Sequence, residues 1–380
     1  MTKKTDLKGL TTAELTNFAV SIGEQRYRGN QLFEWLYMKR AVRFEEMTAL
    51  SKPLREKLDA VAVIGSIGLS DRTDSGDGTT KFLFSLNDGK QIESVLIPPR
   101  LAFGGRNAAG EDEQRRLTLC VSTQVGCALD CRFCATATMG MVRNLTAGEI
   151  VDQVMQTGRI TGRTITNIVY MGMGEPLMNY DAVMNSVEII SNGLKIPARR
   201  ITVSTAGWVP KIRQMAEERR KVKLAVSLHS LNDATRAELM PVGLKFPLDE
   251  LMDAVGEYCR KTGIRVTFEY ILFDGINDSA EDCRRLAVLA KKIPCKFNII
   301  PFHDISGTGG VRTAGLRPSP SATIDRFVAA LRRLHVTVFV RSSAGEDIAA
   351  ACGQLAVMQS AKERMRTEGH PRSHQRRSAV

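Results

Sequence analysis

The sequence predicts an α/β protein built on a partial (β/α)6 barrel, with a small helical region at its N-terminus and a β-hairpin extension between the two. Three observations lead there. From about residue 118, short β-branched runs alternate with amphipathic stretches, the pattern of parallel strands joined by crossover helices. Residues 6–60 carry helical periodicity throughout. Residues 81–97 place two β-rich runs on either side of Asn87-Asp88-Gly89, a turn sequence that selects a hairpin.

The barrel strands are expected at 118–123, 167–172, 201–205, 223–228, 265–272 and 295–301, with a further strand at 336–341. Helices fill the gaps. One spans 147–160, opened by a capping box of Thr146 and Glu149, and another spans 248–261, with Leu248, Leu251, Met252 and Val255 on one face. Near the N-terminus, Leu32, Phe33, Trp35 and Leu36 share an apolar-rich helix beside Arg26, Arg28, Lys39 and Arg40. Residues 99–116 mix Gly, Pro and charge and read as a surface loop, and residues 361–380 read as a polar, basic tail. The expected divisions are a helical accessory domain at 1–65, the hairpin and its connecting loop at 66–116, the barrel at 117–356 and the basic tail at 357–380.

With 43% hydrophobic and 25% charged residues over 380 positions, the chain can bury one large core and a smaller one. No apolar run approaches the roughly 18 residues that a membrane span needs, and MTKKTDLKGL has no apolar signal segment, so a cytoplasmic protein without membrane contact is expected. Lys and Arg outnumber Asp and Glu by 53 to 41, and the resulting charge of +12 favours a polyanionic partner. The eight cysteines do not read as a disulfide framework in such a chain. Cys259, Cys283 and Cys295 fall in apolar patterns and read as small buried hydrophobes.

Cys127, Cys131 and Cys134 form a C-x3-C-x2-C triplet directly after the first barrel strand, and thiolates so spaced ligate iron-sulfur centres. Three ligands leave one iron open to a substrate. Structural zinc is the alternative, but it takes four ligands and no nearby His or Cys supplies the fourth. Downstream, Met171-Gly172-Met173-Gly174-Glu175-Pro176 follows the second strand at its C-terminal end, where barrel active sites lie. Its glycines allow close approach of a cofactor, and Glu175 can face an ammonium group.

The triplet, with the aromatic Phe133 before its last cysteine, resembles the radical S-adenosylmethionine (SAM) superfamily. Further strings extend the likeness from about residue 5 to 356: CVSTQVGCALDCRFC, YMGMGEP, SLH, DIAAACGQL, and the N-terminal RYRGNQLFEWLY and FEEMTALSKPLR. Together they resemble the dual-specificity RNA adenine C2 methyltransferases, from which the longer connection at 99–116 departs. The resemblance implies a radical SAM barrel, a 4Fe-4S cluster on Cys127, Cys131 and Cys134, and SAM bound through its amino and carboxylate groups to the open iron. It implies SAM contacts from Gly174, Glu175, Ser204, Ser227, Leu228, His229 and Asn298. It also implies 23S ribosomal RNA and tRNA as substrates, an electron donor such as flavodoxin, and a monomeric enzyme.

Adenine C2 has no lone pair with which to displace the methyl of SAM, so a radical route is needed. In the scheme the resemblance implies, one SAM methylates Cys352, and a second yields a 5′-deoxyadenosyl radical that takes hydrogen from the S-methyl group. The carbon radical adds to C2, and Cys120 then attacks the Cys352 sulfur to release the product. Glu93, in Ile92-Glu93-Ser94-Val95-Leu96-Ile97-Pro98, matches the proton acceptor, although Cys120 is not excluded from that role. By strand alternation alone, Glu93 would be a solvent-facing residue. Cys352 by itself could be a buried helix-end cysteine, Ser204 and Asn298 could satisfy barrel-rim backbone, and His229 could be an ordinary loop histidine. An adenine C8 methyltransferase and a non-catalytic RNA-binding module with a structural metal remain as alternatives.

Overall fold

The computed structural model describes residues 4–99, 116–303, 305, 313, 315–341 and 344–357. Residues 100–115 of the expected loop and 358–380 of the expected tail lie outside these. In chain order the strands are β1 (Thr5–Asp6), β2 (Ala62–Val63), β3 (Gly68–Asp74), β4 (Thr80–Ser85), β5 (Gln91–Ile97), β6 (Thr118–Cys120), β7 (Gln124–Gly126), β8 (Met141–Asn144), β9 (Asn167–Tyr170), β10 (Ile201–Thr205), β11 (Lys223–Ser227), β12 (Val266–Leu272), β13 (Cys295–Pro301) and β14 (Val338–Val340). The helices are α1 (Thr12–Ser21), α2 (Arg28–Phe33), α3 (Lys52–Val61), α4 (Ala147–Thr161), α5 (Tyr180–Asn192), α6 (Val209–Glu217), α7 (Asp233–Leu239), α8 (Val242–Lys245), α9 (Leu248–Thr262), α10 (Ala280–Lys292) and α11 (Ser321–Arg333).

Ten strands form one sheet in the order β14-β13-β12-β11-β10-β9-β6-β5-β4-β3. From β6 to β14 every neighbour pairs in parallel, and β3, β4, β5 and β6 pair antiparallel. Adjacent parallel strands joined by crossovers of one hand put their helices on one face. The other face is left to line cavities. The sheet does not close, since β14 and β3 are its two edges, and this is the expected partial (β/α)6 barrel with an extra strand and a hairpin extension.

The extension has three strands, not two. β3 was not expected because all seven of its residues are exposed, so it carries no apolar alternation, as befits a charged edge strand. The segment expected as a strand to residue 123 pairs in the main sheet only through Cys120, and β7 then pairs with β8 in a separate ribbon. In the helical N-terminal region, β1 pairs in parallel with β2, and the helix begun by α2 continues as a π-helical turn over Glu34–Met38. The capping box of Thr146 and Glu149 opens α4 as expected.

The N-terminal region is tied to the barrel through α4. Gly9 and Gly148 approach so closely that a Cβ on Gly9 would stand 2.3 Å from the Gly148 amide nitrogen. Beside them Lys8 Nζ meets Asp152 Oδ1 at 2.7 Å, with both side chains buried. Asp152 Oδ2 also accepts from the Ile67 amide at 2.8 Å and from Ser66 Oγ at 3.1 Å. Removing the cation alone strands a buried carboxylate, so Lys8→Met should destabilise the protein by about 3–5 kcal/mol in urea unfolding. Combining it with Asp152→Asn should recover part of that loss, whereas additive losses in the double variant would show that the pair is not coupled.

Candidate active site

Beyond β6 the chain leaves the sheet, and β7 and β8 hold the ends of the loop that carries the three cysteines. The Cys127 amide donates to Gly140 O at 2.9 Å, the Cys134 amide to Cys131 O at 3.2 Å, and the Arg132 amide to Leu239 O at the end of α7 at 3.0 Å. Cys127, Cys131 and Cys134 line one cavity of about 140 Å3 with Gly174, Glu175, Ser204, Ser227, His229 and Cys352. Burial pushes the Cys127 thiol up to about 12, Cys131 well above the ordinary thiol range, and Cys134 upward. Thiolates in so dry a site need a metal centre to carry their charge.

Two observations bear on which centre these residues fit. The three cysteines line an open cavity of about 140 Å3 and not a closed tetrahedral set, which leaves room beside the thiols for a group larger than one ion. A cluster asks each thiolate to reach a different iron. Beside the triplet, Arg236 of α7 is fully buried. Its Nη2 donates to Ala206 O at 2.6 Å, while Nε and Nη1 have no partner among the described residues. Gly207 and Gly243 make room for it, since a Cβ there would stand 2.9 Å from Nη2 and 3.1 Å from Nη1 respectively. Burial brings this guanidinium down to about 10, and Cys131 is the largest charge acting against that fall. A buried, under-satisfied cation next to the cysteine loop suits an anionic thiolate-bound cluster.

The turn after β9 presents a carboxylate. A Cβ at Gly174, where φ is +97°, would lie 2.5 Å from Gln124 Cβ, so only glycine lets this turn pack on β7. Gln124 Oε1 in turn accepts from the Glu175 amide at 2.8 Å. The Glu175 carboxylate accepts from the Leu177 amide at 3.0 Å and the Ala206 amide at 2.8 Å, yet burial raises it to about 7. A cationic amine at this site would stabilise its charged form.

His229 follows β11 with φ at +55°. Its Nδ1 accepts the Ile271 amide at 3.0 Å, so the neutral ring carries its proton on Nε2. Burial, aided by Arg236, takes the imidazole down to about 3, and Phe133 packs edge-on at 4.7 Å. Asn277 fixes this turn by donating to His229 O at 2.6 Å and Ile271 O at 2.7 Å. Ser204 and Ser227 line the cavity at the ends of β10 and β11. Leu228 and Asn298 are not among its lining residues: Leu228 is a buried ladder residue, and Asn298 Nδ2 donates to Glu269 Oε1 at 2.9 Å.

A second cavity, of about 800 Å3, adjoins the first and is lined by Cys120, Met171, Arg163, Pro98, His303 and the segment from Ala350 to Cys352, among others. Cys352 and Arg341 line both cavities. Cys352 is exposed on an irregular turn after the short helix Glu346–Ile348 and is not a buried helix-end cysteine. Cys120 is buried, and burial, with the Cys352 thiol adding to it, pushes it up to about 12. All eight cysteines are free thiols, and Cys259, Cys283 and Cys295 are buried apart from both cavities.

Glu93 is 5% exposed, not solvent-facing. β5 lies between β4 and β6 inside the sheet, and α4 covers one of its faces, where Ser94 Oγ donates to Gln153 Oε1 at 2.7 Å. Burial raises the Glu93 carboxyl although Lys81 Nζ stands 3.3 Å away. Glu93 lines neither cavity, but Lys81 bridges from it to Ala349 O at 3.4 Å.

Arg236, Glu269 and Arg341 were not singled out from the sequence. Arg341 Nη1 lies 3.4 Å from Glu269 Oε2, and the pair stands between the cavities, with the Cys352 thiol the largest influence holding Arg341 charged. Spacing carries no signal for these residues, because a charged residue within a strand or short helix resembles any solvated one. Only their burial distinguishes them.

The superfamily and the N-terminal region are both recognised by family models: residues 121–287 match the radical SAM superfamily, and residues 5–64 match the ribosomal RNA large subunit methyltransferase N-terminal domain. The chain is 44% identical over 357 residues to the dual-specificity RNA methyltransferase RlmN of Pelobacter propionicus, covering 93% of this chain and 96% of that one. It is likewise 44% identical over 352 residues to the RlmN of Geobacter sulfurreducens, covering 92% and 91%. A crystal structure of a radical SAM methyltransferase from Sphaerobacter thermophilus superposes with a TM-score of 0.81 at 43% identity, over 93% of this chain and all of that one. Among the described residues, no helix is long and apolar enough to cross a membrane. The chain therefore belongs to the RlmN family of dual-specificity RNA methyltransferases, radical SAM enzymes whose membership implies SAM and a 4Fe-4S cluster.

Proposed function

We propose that the chain methylates C2 of an adenosine in 23S ribosomal RNA and of the adenosine 3′ to the anticodon in tRNA, carrying the methyl group on Cys352. The single observation behind this reading is that Cys352 lines both the cavity of the cysteine triplet and the larger cavity that holds Cys120. A methyl carrier must face its donor and its acceptor in turn. Held by Cys127, Cys131 and Cys134, the cluster with SAM supplies one-electron chemistry able to remove a hydrogen atom from a methyl group.

The chain's own residues account for the rest. Glu175 receives the amino group of SAM, neutral His229 offers an Nε2 donor, and Ser204 and Ser227 line the same wall. Leu228, buried behind that wall, donates its amide to Glu269 O at 3.0 Å, and Asn298 orients the Glu269 carboxylate, which in turn fixes Arg341 beside Cys352. The larger cavity is roomy enough for a nucleotide, and an adenosine must be unstacked to enter it. Cys120 stays a thiol in its dry setting until a base removes its proton. Once the C2 proton has left, the odd electron of the adduct would pass to the redox centre that Cys127, Cys131 and Cys134 hold; the Cys120 sulfur then bonds to the Cys352 sulfur as the S–C bond breaks, and the carbon keeps the electron pair and takes a proton. Glu93, its basicity raised by burial and linked through Lys81 to the Cys352 segment, is the proton acceptor on the C2 side. The electron donor, such as flavodoxin, comes from outside the chain, and the enzyme works as a cytoplasmic monomer.

Anaerobic reconstitution should load one 4Fe-4S cluster per chain by iron and sulfide analysis, and Cys131→Ala should abolish it. Stoichiometric zinc in a protein that refuses iron would sink this assignment. Turnover with SAM, reductant and RNA should yield 2-methyladenosine by nucleoside mass spectrometry, whereas 8-methyladenosine would move the reaction to C8. The two distant thiols should have opposite phenotypes. Cys352→Ala should give neither product nor adduct, while Cys120→Ala should accumulate RNA bound covalently at Cys352 on denaturing gels, since the releasing thiol is missing. Retained methylation in Cys352→Ala would remove the carrier role.

A further inference from the structure

Three arginines from two regions of the chain meet at the C-terminal end of α4. Arg159 lies in its last turn, Arg163 follows its Gly162 cap, and Arg40 comes from the N-terminal region. They line a cavity of about 340 Å3 with Gly158, Gly162 and Thr164, and no Asp or Glu is among the lining residues. All three are exposed, and among the described residues none of their guanidinium groups makes an ion pair or a side-chain hydrogen bond. The helix macrodipole accounts for one cation in a last turn. It does not account for three like charges brought to one cavity from two regions of the chain, where their mutual repulsion favours a bound anion; Glu46 acts on Arg159 but lies outside the cavity lining.

Two features show that the convergence is built into the fold. Arg40 sits at φ +59°, a left-handed position that a non-glycine residue occupies at a cost, just beyond Lys39, the cap of the π-helical turn Glu34–Met38. Its Nη1 passes over Gly158, where a Cβ would stand 3.8 Å away. The arginine cavity also neighbours the reaction cavity, since Arg163 lines both.

We propose that this arginine cavity binds a backbone phosphate of the RNA substrate, one flanking the nucleotide whose base enters the cavity of Cys120 and Cys352. The proposal rests on the larger cavity being where the RNA base is received. A phosphodiester suits the site: guanidinium groups fork onto its two free oxygens, and its single charge offsets the repulsion among three cations. Such a contact carries no base information. It sets register, holding the strand so that one nucleotide faces the two thiols.

The test uses cluster-reconstituted holoenzyme and a labelled RNA hairpin containing the target adenosine, with affinity read by fluorescence anisotropy across a salt series. Arg40→Gln/Arg159→Gln/Arg163→Gln should weaken binding about ten- to hundredfold and lower the salt slope by about 0.7–0.9 per phosphate lost. Lys291→Gln/Arg332→Gln/Arg333→Gln removes the same charge from α10 and α11 and should change affinity less than about threefold. A methylphosphonate placed in turn at each phosphate around the target should weaken wild-type binding at one position and leave the triple variant unaffected there. Iron content and melting temperature report that the variants fold, and Arg163→Gln alone should show a smaller loss of the same kind. An unchanged slope in the triple variant, an equal loss in the control, or a methylphosphonate effect that persists in the triple variant would overturn the proposal. Product analysis on the wild type tests the methylation reading separately, so a protein that binds RNA through these arginines yet makes no 2-methyladenosine would fail only that reading.

Discussion

The segment 344–357 is anchored at two ends of the molecule, and the placement of Cys352 depends on both anchorages. At one end the Gly345 amide donates to Asp77 Oδ2 at 2.9 Å, and Ser75 Oγ donates to Asp347 Oδ1 at 2.6 Å, which ties the segment to the turn between β3 and β4. At the other end the Ala135 amide donates to Gly353 O at 2.6 Å and Thr136 Oγ1 to Leu355 O at 2.6 Å, which ties it to the cysteine loop. The open sheet has its edges at β3 and β14, and this segment runs from beyond β14 back to the turn that follows β3. The Cys352 turn is thereby held against the cysteine loop while remaining exposed to the larger cavity.

This arrangement explains why the extension strands matter to a site built on the barrel. Without β3, β4 and β5 the segment would lose its far anchor, and Lys81, which spans Glu93 and Ala349, would have no strand to stand on. The extension also buries Cys120, whose strand pairs with β5 through Val95. The accessory region has a comparable structural tie. Its packing on α4 through Lys8, Asp152 and the paired glycines fixes the base of the helix whose other end carries Arg159.

Buried ionisable groups line the two cavities, and burial works on each according to its charge. It raises Glu175 to about 7, lowers His229 to about 3, and raises Cys120 to about 12, so each of these groups is driven toward its neutral form. Arg341 differs: the Cys352 thiol and Glu269 hold it charged within the protein. A fixed cation beside two thiols and a dry cysteine loop is an environment in which sulfur can be activated locally without flooding the site with water.

The chain's periodicity was enough to place the parallel strands within a residue or two of where they lie, except β6, which ends three residues before the expected 123, because two-residue and helical repeats are local properties of the backbone. The cysteine triplet, the Gly174-Glu175 turn and the Ser227-Leu228-His229 string were equally legible, since ligand spacing and turn chemistry are written in contiguous residues. β3 was not, being polar on both faces, and Glu93 seemed outward because alternation assumes one wet face while β5 has none. Arg236, Glu269, Arg341 and the convergence of Arg40, Arg159 and Arg163 were decided by tertiary structure alone. Each depends on burial or on proximity between segments far apart in the chain, and a charged side chain has the same sequence signature whether it meets water, a buried partner or another cation.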